Sequence, residues 1–173
     1  MKPISFLSAL VISLALGTSA RAAEVKLTDV HLCCNNCVKG VEKAVAKVSG
    51  ATAQSDKDTG TVTLSASDKA TVQKAVDALV AAGYFGKSSD ASVKVSADSG
   101  AKDGKVQSLK VVGLHLCCPK CVSAAQKALA TVPGVKANTA EKNAETFEVT
   151  GEFNAKDVFT ALNKAGLAAK AGK

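Results

Sequence analysis

The stretch that decides the reading is "HLCCNNCV", residues 31–38, which returns as "HLCCPKCV", residues 115–122. All six cysteines and both histidines of the chain lie in these two octets. His31 and His115 stand 84 positions apart. At that offset Lys26 meets Lys110, Val30 meets Leu114, Lys43 meets Lys127, Val48 meets Val132 and Gly50 meets Gly134. Further on, Leu79-x-x-x-Gly83 meets Leu162-x-x-x-Gly166 with one residue of drift. This is an internal duplication, with a period too long for a solenoid. Each copy is small for a domain but long enough to bury a core.

Hydrophobic period reads the same elements in both copies. Residues 25–32 are expected to be a strand, with Thr28, Val30 and Leu32 alternating onto one face. Val38, Val41, Val45 and Val48 fall at helical spacing, as do Val122, Ala125, Leu129 and Val132. Gly50 and Pro133-Gly134 stop these helices. A weak strand near 51–55 is followed by a turn at "DKDTG" and an alternating strand, Thr61–Ser65, with Thr146–Thr150 as its counterpart. Second helices start at the N-caps Asp68 and Asn154 and turn Val72, Val76 and Leu79, or Val158, Phe159 and Leu162, inward. A last strand is expected within 92–95 in the first copy and, short or frayed, within 167–173 in the second. The order β-α-β-β-α-β, twice, with right-handed crossovers, predicts an α+β chain of two tandem ferredoxin-like sandwiches.

The expected domains are a signal peptide at 1–22, a first module at 23–95, a linker at 96–105 and a second module at 106–173. Lys2 is a short basic start, Ile4–Gly17 an apolar run, and Ala20-Arg21-Ala22 a small-x-small cleavage site. That is the pattern of a secretory signal, and the run falls short of the roughly 20 residues a spanning helix needs. The expectation is therefore an exported protein, periplasmic or secreted, with no membrane span in the mature chain. The linker, "SADSGAKDGK", is small and polar and reads as flexible. The net charge of +7 comes from scattered lysines. There is no basic block interleaved with aromatics, so nucleic acid is not an expected partner.

Each octet falls where the first strand meets the first helix. Cys34-x-x-Cys37 and Cys118-x-x-Cys121 set two thiols about one helical turn apart, able to point at one atom. The second cysteine of each pair lies in the first turn, where free N–H groups favour an anion and thiolate forms more readily. Pro119 suits such a turn. Thiolates select Cu(I), Zn(II) and heavier thiophilic ions over Mg(II) or Ca(II).

These residues resemble the heavy-metal-associated (HMA) domain family. It includes copper chaperones, the N-terminal modules of copper- and zinc-transporting P-type ATPases, and the periplasmic mercury-binding protein. The resemblance covers nearly the whole mature chain and implies the βαββαβ fold with a Met-x-Cys-x-x-Cys loop. By position Cys34, Cys37, Cys118 and Cys121 match the family's metal-binding pair, and Leu32 and Leu116 replace the loop methionine. "AAGYF" at 81–85 resembles the family's Gly-Tyr after the second helix, whereas "KAGLA" departs from it. Cys33 and Cys117 also depart, making each loop Cys-Cys-x-x-Cys. A third thiolate allows trigonal binding; with His31 or His115 the set becomes Cys3His, which suits Zn(II). The extra cysteines are either ligands or partners for oxidation. The strand alternation aims His31 and His115 at the solvent face, beside the loop rather than into it.

The function expected is a soft-metal carrier or sequestrant that takes Cu(I) or Zn(II), with Hg(II) a further candidate. It would bind two ions, or one pinched between the copies, and serve a metal transporter or acceptor metalloprotein. Lys39 and Lys120 would face such a partner, or simply water. The alternative is a thiol-disulfide protein cycling the same pairs in an oxidising compartment. A disulfide-stapled framework fits poorly, because all the cysteines sit in two short loops. With no Ser/His/acid set, no phosphate-cradling loop and no carboxylate pair in a recognisable motif, an enzyme is not expected.

Overall fold

The computed structural model describes residues 22–173. The expected signal peptide lies outside the described residues, apart from its last position, Ala22. The first half runs β1 (Ala23–Thr28), α1 (Asn35–Val45), β2 (Ala51–Asp56), β3 (Thr61–Ala66), α2 (Lys69–Ala81) and β4 (Lys87–Ser88). The second runs β5 (Lys105–Val112), α3 (Pro119–Ala130), β6 (Val135–Asn138), β7 (Thr146–Asn154), α4 (Ala155–Lys164) and β8 (Lys170–Ala171). Each half folds as an antiparallel four-stranded sheet, ordered β2-β3-β1-β4 and β6-β7-β5-β8. That is the ferredoxin-like sandwich read from the hydrophobic pattern.

The local reasons are visible. Asp68 caps α2 by accepting from Thr71 N at 2.8 Å, and Asn154 caps α4 by accepting from Lys156 N at 3.0 Å. Each satisfies an N–H that the helix itself leaves free. Val25 and Leu27 of β1 and Val62 and Leu64 of β3 are buried beneath the helices, together with Val72, Val76 and Leu79. Phe147, Val149, Val158, Phe159 and Leu162 do the same work in the second half. The buried residues of both halves form one continuous apolar cluster.

Three expectations need correction. The strand alternation of Thr28, Val30 and Leu32 breaks at Asp29, whose φ is +60°. Upstream the buried positions are Val25 and Leu27; downstream they are Val30 and Leu32, and Thr28 is exposed. The second half breaks at the matching Gly113, φ +78°. A left-handed residue rotates the chain out of the pleat, so the strand ends early and the side-chain phase shifts by one.

The helix stripe also shifts by one residue at its start. Cys37 and Cys121 take the core positions, while Val38 and Val122 are only half-buried.

The last strand of the first half is Lys87–Ser88, paired with Leu27 and Thr28, rather than a strand within 92–95. Residues 92–95 pack on α2 instead. Val93 is buried, and the Gln73 side chain donates to Lys94 O at 2.7 Å and accepts from Lys94 N at 2.8 Å. The stretch 96–105 makes its own hydrogen bonds to the second half. Ser99 O accepts from Ala171 N at 2.8 Å, Asp103 accepts from the Asn154 side chain at 2.6 Å, and Gly104 O accepts from Ala155 N at 3.2 Å.

The two halves meet through their post-helix loops. Tyr84 and Leu167 form an antiparallel bridge. Ala168 N donates to Gly83 O at 2.9 Å; Phe85 N and His31 N donate to Gly166 O at 3.1 and 3.3 Å. Gly83 (φ +92°) and Gly166 (φ +76°) hold conformations that suit glycine. A Cβ on Gly83 would meet His115 N at 2.7 Å, and one on Gly166 would meet His31 N at 2.5 Å. This contact places the two cysteine loops face to face.

Candidate metal centre

The loops are built alike. Leu32 and Leu116 are buried and anchor the chain just before the cysteines. Cys34 and Cys118 are the N-cap residues of α1 and α3, extended, with no side-chain cap bond. Their sulfurs are therefore free to turn away from the helix. Cys37 N donates to Cys34 O at 3.0 Å and Cys121 N to Cys118 O at 3.1 Å, closing the first turns. Cys37 and Cys121 are wholly buried; the other four cysteines are half-buried, and all six are free thiols.

The structure brings all six together. Within the first loop, Cys37 Sγ lies 3.7 Å from Cys33 Sγ and 3.8 Å from Cys34 Sγ. Within the second, Cys121 Sγ lies 3.7 Å from both Cys117 Sγ and Cys118 Sγ. Between the loops, Cys33 Sγ lies 3.3 Å from both Cys118 and Cys121, and Cys37 Sγ lies 3.7 Å from Cys117 and 3.8 Å from Cys121. Cys34 and Cys117 are 3.8 Å apart. These are packing distances, far beyond the roughly 2.05 Å of an S–S bond. An approximate two-fold exchanges Cys33 with Cys117, Cys34 with Cys118 and Cys37 with Cys121.

His31 and His115 depart from expectation. They do alternate opposite to Val30 and Leu32, and to Leu114 and Leu116, but the other half covers that side: His31 N donates to Gly166 O at 3.3 Å, and the His115 ring meets Tyr84. A ring nitrogen of His31 lies within 4.8 Å of Cys33 and Cys121 Sγ. The His115 ring stacks on Tyr84 with centroids 4.9 Å apart. The Nε2 of each is buried and has no hydrogen-bond partner. Burial lowers the His31 pKa, keeping that ring neutral and able to donate a lone pair.

The thiols share their protons unevenly. Cys37 is held well below the usual thiol range, first by S–H donation from Cys121, then by the His115 ring and Cys33, against the pull of burial. Cys121 is pushed up by that same contact with Cys37 and by burial. The direction that follows from the geometry is one favoured thiolate ringed by S–H donors, with burial opposing a second. Burial also raises Cys33, and it raises Cys117 to about 12. Cys118 also meets helix amides and neighbouring thiols. Burial pulls it up, but the Cys121 amide, the thiols of Cys33 and Cys121 and the Lys120 amide together outweigh this and bring it to about 7.

Tyr84 went unnoticed as a site residue. Its buried Oη donates to Cys37 O at 2.9 Å, tying the post-helix loop to the thiol loop. Gly40 lets it in, since a Cβ there would overlap the Tyr84 hydroxyl. The Gly-Tyr pair was the signal in the sequence. Lys39 and Lys120 stand exposed beside the loops.

Two ferredoxin-like modules presenting a closed set of soft sulfur donors define a thiolate site of the kind soft metals occupy. No protein-family model matches the chain, and no curated protein does. Among solved structures, the N-terminal domain of PacS from Synechocystis PCC6803 is similar over 39% of this chain and 100% of its own length, at 25% identity and TM-score 0.36. The apo HMA domain of the copper chaperone for superoxide dismutase matches over 49% of this chain and 85% of its own, at 24% identity and TM-score 0.35. The N-terminal soluble domains of Bacillus subtilis CopA match over 88% and 95%, at 19% identity and TM-score 0.30. All three scores are under 0.5, and the chemistry of the site stands on the thiol geometry alone.

Proposed function

We propose that the protein is an exported, HMA-like binder of soft metal ions, a carrier or sequestrant rather than an enzyme. Its cargo is Cu(I), Zn(II) or Hg(II), held by the cysteines of both loops. The observation that supports this most is the convergence of six free thiols, none needed to staple the fold, at the N-termini of two helices. Those helix ends favour the negative charge that thiolates carry. The N-terminal pattern supports export, with a mature chain starting at Ala23. A transporter or acceptor metalloprotein is the partner such a carrier would serve.

The test is a competition. Reduced, anaerobic protein is offered Cu(I), Zn(II) and Hg(II) together, and bound metal and free thiols are counted by mass spectrometry. Retention of a soft ion with loss of free thiols is expected, and the winning ion names the cargo. Fully reduced protein that retains no metal would sink the reading and turn attention to the thiol-disulfide alternative. The mass of protein recovered after export checks the leader: a chain beginning at Ala23 is expected, and one retaining residue 1 would remove the argument for export.

A further inference from the structure

The six sulfurs form a distorted octahedron. Nine Sγ–Sγ separations fall between 3.3 and 3.8 Å. Three more pairs, Cys33–Cys34, Cys34–Cys118 and Cys117–Cys118, lie within 4.8 Å. Every sulfur then has four near neighbours, leaving Cys33–Cys117, Cys34–Cys121 and Cys37–Cys118 as the opposite corners. Those twelve edges are the edges of an octahedron, and its eight faces are triangles of sulfur.

We infer that the six thiolates hold one tetranuclear Cu(I) cluster, with a trigonal ion over each of four alternate faces, shared by both halves. The cluster presupposes soft-metal binding at these thiols and goes beyond it in naming the ion, its number and the sharing. With metal–sulfur bonds of about 2.3 Å, three trigonal sulfurs sit roughly 4 Å apart, close to the edges observed. One alternate set of faces is Cys33-Cys34-Cys118, Cys34-Cys37-Cys117, Cys117-Cys118-Cys121 and Cys33-Cys37-Cys121, and each cysteine belongs to two of the four. Each thiolate therefore bridges two ions, which is how soft Cu(I) satisfies three-coordination with only six donors.

Other arrangements fit less well. A linear ion within one Cys-x-x-Cys pair needs its sulfurs about 4.6 Å apart, twice a bond of ~2.3 Å; Cys34 and Cys37 are 3.8 Å apart. Two Zn(II) tetrahedra sharing an edge would make two sulfurs neighbours of all five others. Here the nine short separations give no sulfur more than four near neighbours.

The balance is simple. Four Cu(I) ions and six cysteine sulfurs give a tetracopper hexathiolate of net charge −2; each protonated thiol that enters it releases its proton, the Cys37 thiolate has none to release, and no electron is transferred. The N-termini of α1 and α3 both abut that negative charge, and Cys37 and Cys121 are wholly buried beneath it.

The experiment is a Cu(I) titration of the reduced, anaerobic protein, followed by native mass spectrometry, luminescence and copper X-ray absorption. The expected result is a jump from metal-free to four-copper protein with the intermediate loads scarce. It should come with the emission of a solvent-shielded Cu(I) thiolate cluster, three sulfurs per copper and a short Cu–Cu path. One- and two-copper forms that fill in sequence, without a Cu–Cu path, would overturn the cluster and leave soft-metal binding standing. Protein that retains no copper but does retain Zn(II) or Hg(II) would likewise overturn only the cluster; retention of none of them would overturn both. The double variant Cys33→Ser, Cys117→Ser keeps both Cys-x-x-Cys pairs and, with its fold verified by circular dichroism, should load fewer than four ions and lose the Cu–Cu path. A load of four in that variant would refute the shared octahedron.

Discussion

The two halves agree at their thiols and differ around them. Cys33, Cys34 and Cys37 occupy the same places as Cys117, Cys118 and Cys121, and His31 matches His115. Around that common centre the first half has Tyr84 where the second has Leu167, and Gly40 where the second has Ala124. Its β2–β3 pairing is unbroken over Ala51–Asp56, whereas β6–β7 carries an irregularity between Val135 and Ala137. Duplication has thus left one set of donors in two different frames. The lesson is that the centre depends on where the sulfurs sit, and the frames differ in how each holds its own loop in place. Variants and conditions that touch both halves measure how far the equivalence goes.

The largest expected effect is on metal affinity with pH. Cys33 and Cys121 are pushed up and Cys117 stands at about 12, so these thiols are protonated near neutral pH and must release protons to bind metal. The sign follows: affinity rises with pH, by about tenfold per unit for each proton displaced, and falls as acid returns the protons. Competition against a Cu(I) chelator at several pH values reads the slope. A slope spanning more protons than one loop can release is expected, and a flat profile would mean the thiols are already ionised.

Next come the two glycines that join the halves. Gly83→Ala and Gly166→Ala each force a side chain into left-handed backbone that also abuts the other half's chain. A cost of about 1–3 kcal/mol is expected for each, together with faster reaction of Cys37 and Cys121 with a thiol reagent as the halves part. Gly50→Ala is the control, since it has a similar φ of +79° but open space around it. Equal thiol reactivity in all three variants would mean that the contact does not shield the centre.

Much of this was legible in the sequence. The duplication, the order of elements, the capping residues Asp68 and Asn154, and the junction of loop and helix all follow from local pattern. The histidines were placed opposite Val30 and Leu32, and Leu114 and Leu116, as they are, but that side was read as solvent when the other half covers it. The break at Asp29 explains a different miss, the burial expected of Thr28, and aspartate is one of the few residue types that tolerate positive φ. The docking of the halves was not legible, because a repeat specifies two modules without specifying how they face each other. Gly83 and Gly166 carry that information in their backbone angles, which a sequence does not display.

A smaller effect separates the frames. Tyr84→Phe keeps the ring on His115 and removes the hydroxyl that donates to Cys37 O. The loss of one buried hydrogen bond should destabilise the protein by about 1–2 kcal/mol in denaturant. Leu167 has no hydroxyl to offer the second half, so Leu167→Ala should act through lost packing instead. The signature that distinguishes them is local: faster exchange of the first-turn amides of α1 in Tyr84→Phe, with α3 unchanged.

The smallest expected effect tests whether the halves unfold as one. Asp68→Ala and Asn154→Ala each remove the side-chain acceptor from the first turn of a second helix, one in each half. Such caps are worth about 1 kcal/mol. Asp68 also accepts from the Thr71 and Ser67 hydroxyls, so its loss should cost slightly more than that of Asn154. The two helices lie in different modules, but the apolar cluster beneath them is continuous. If that continuity couples the modules, either variant lowers a single denaturation midpoint and leaves one transition. Were the transition to split, with only the altered half melting early, the halves would be independent folding units brought together at the thiols. The centre would then assemble last, after both sandwiches had formed.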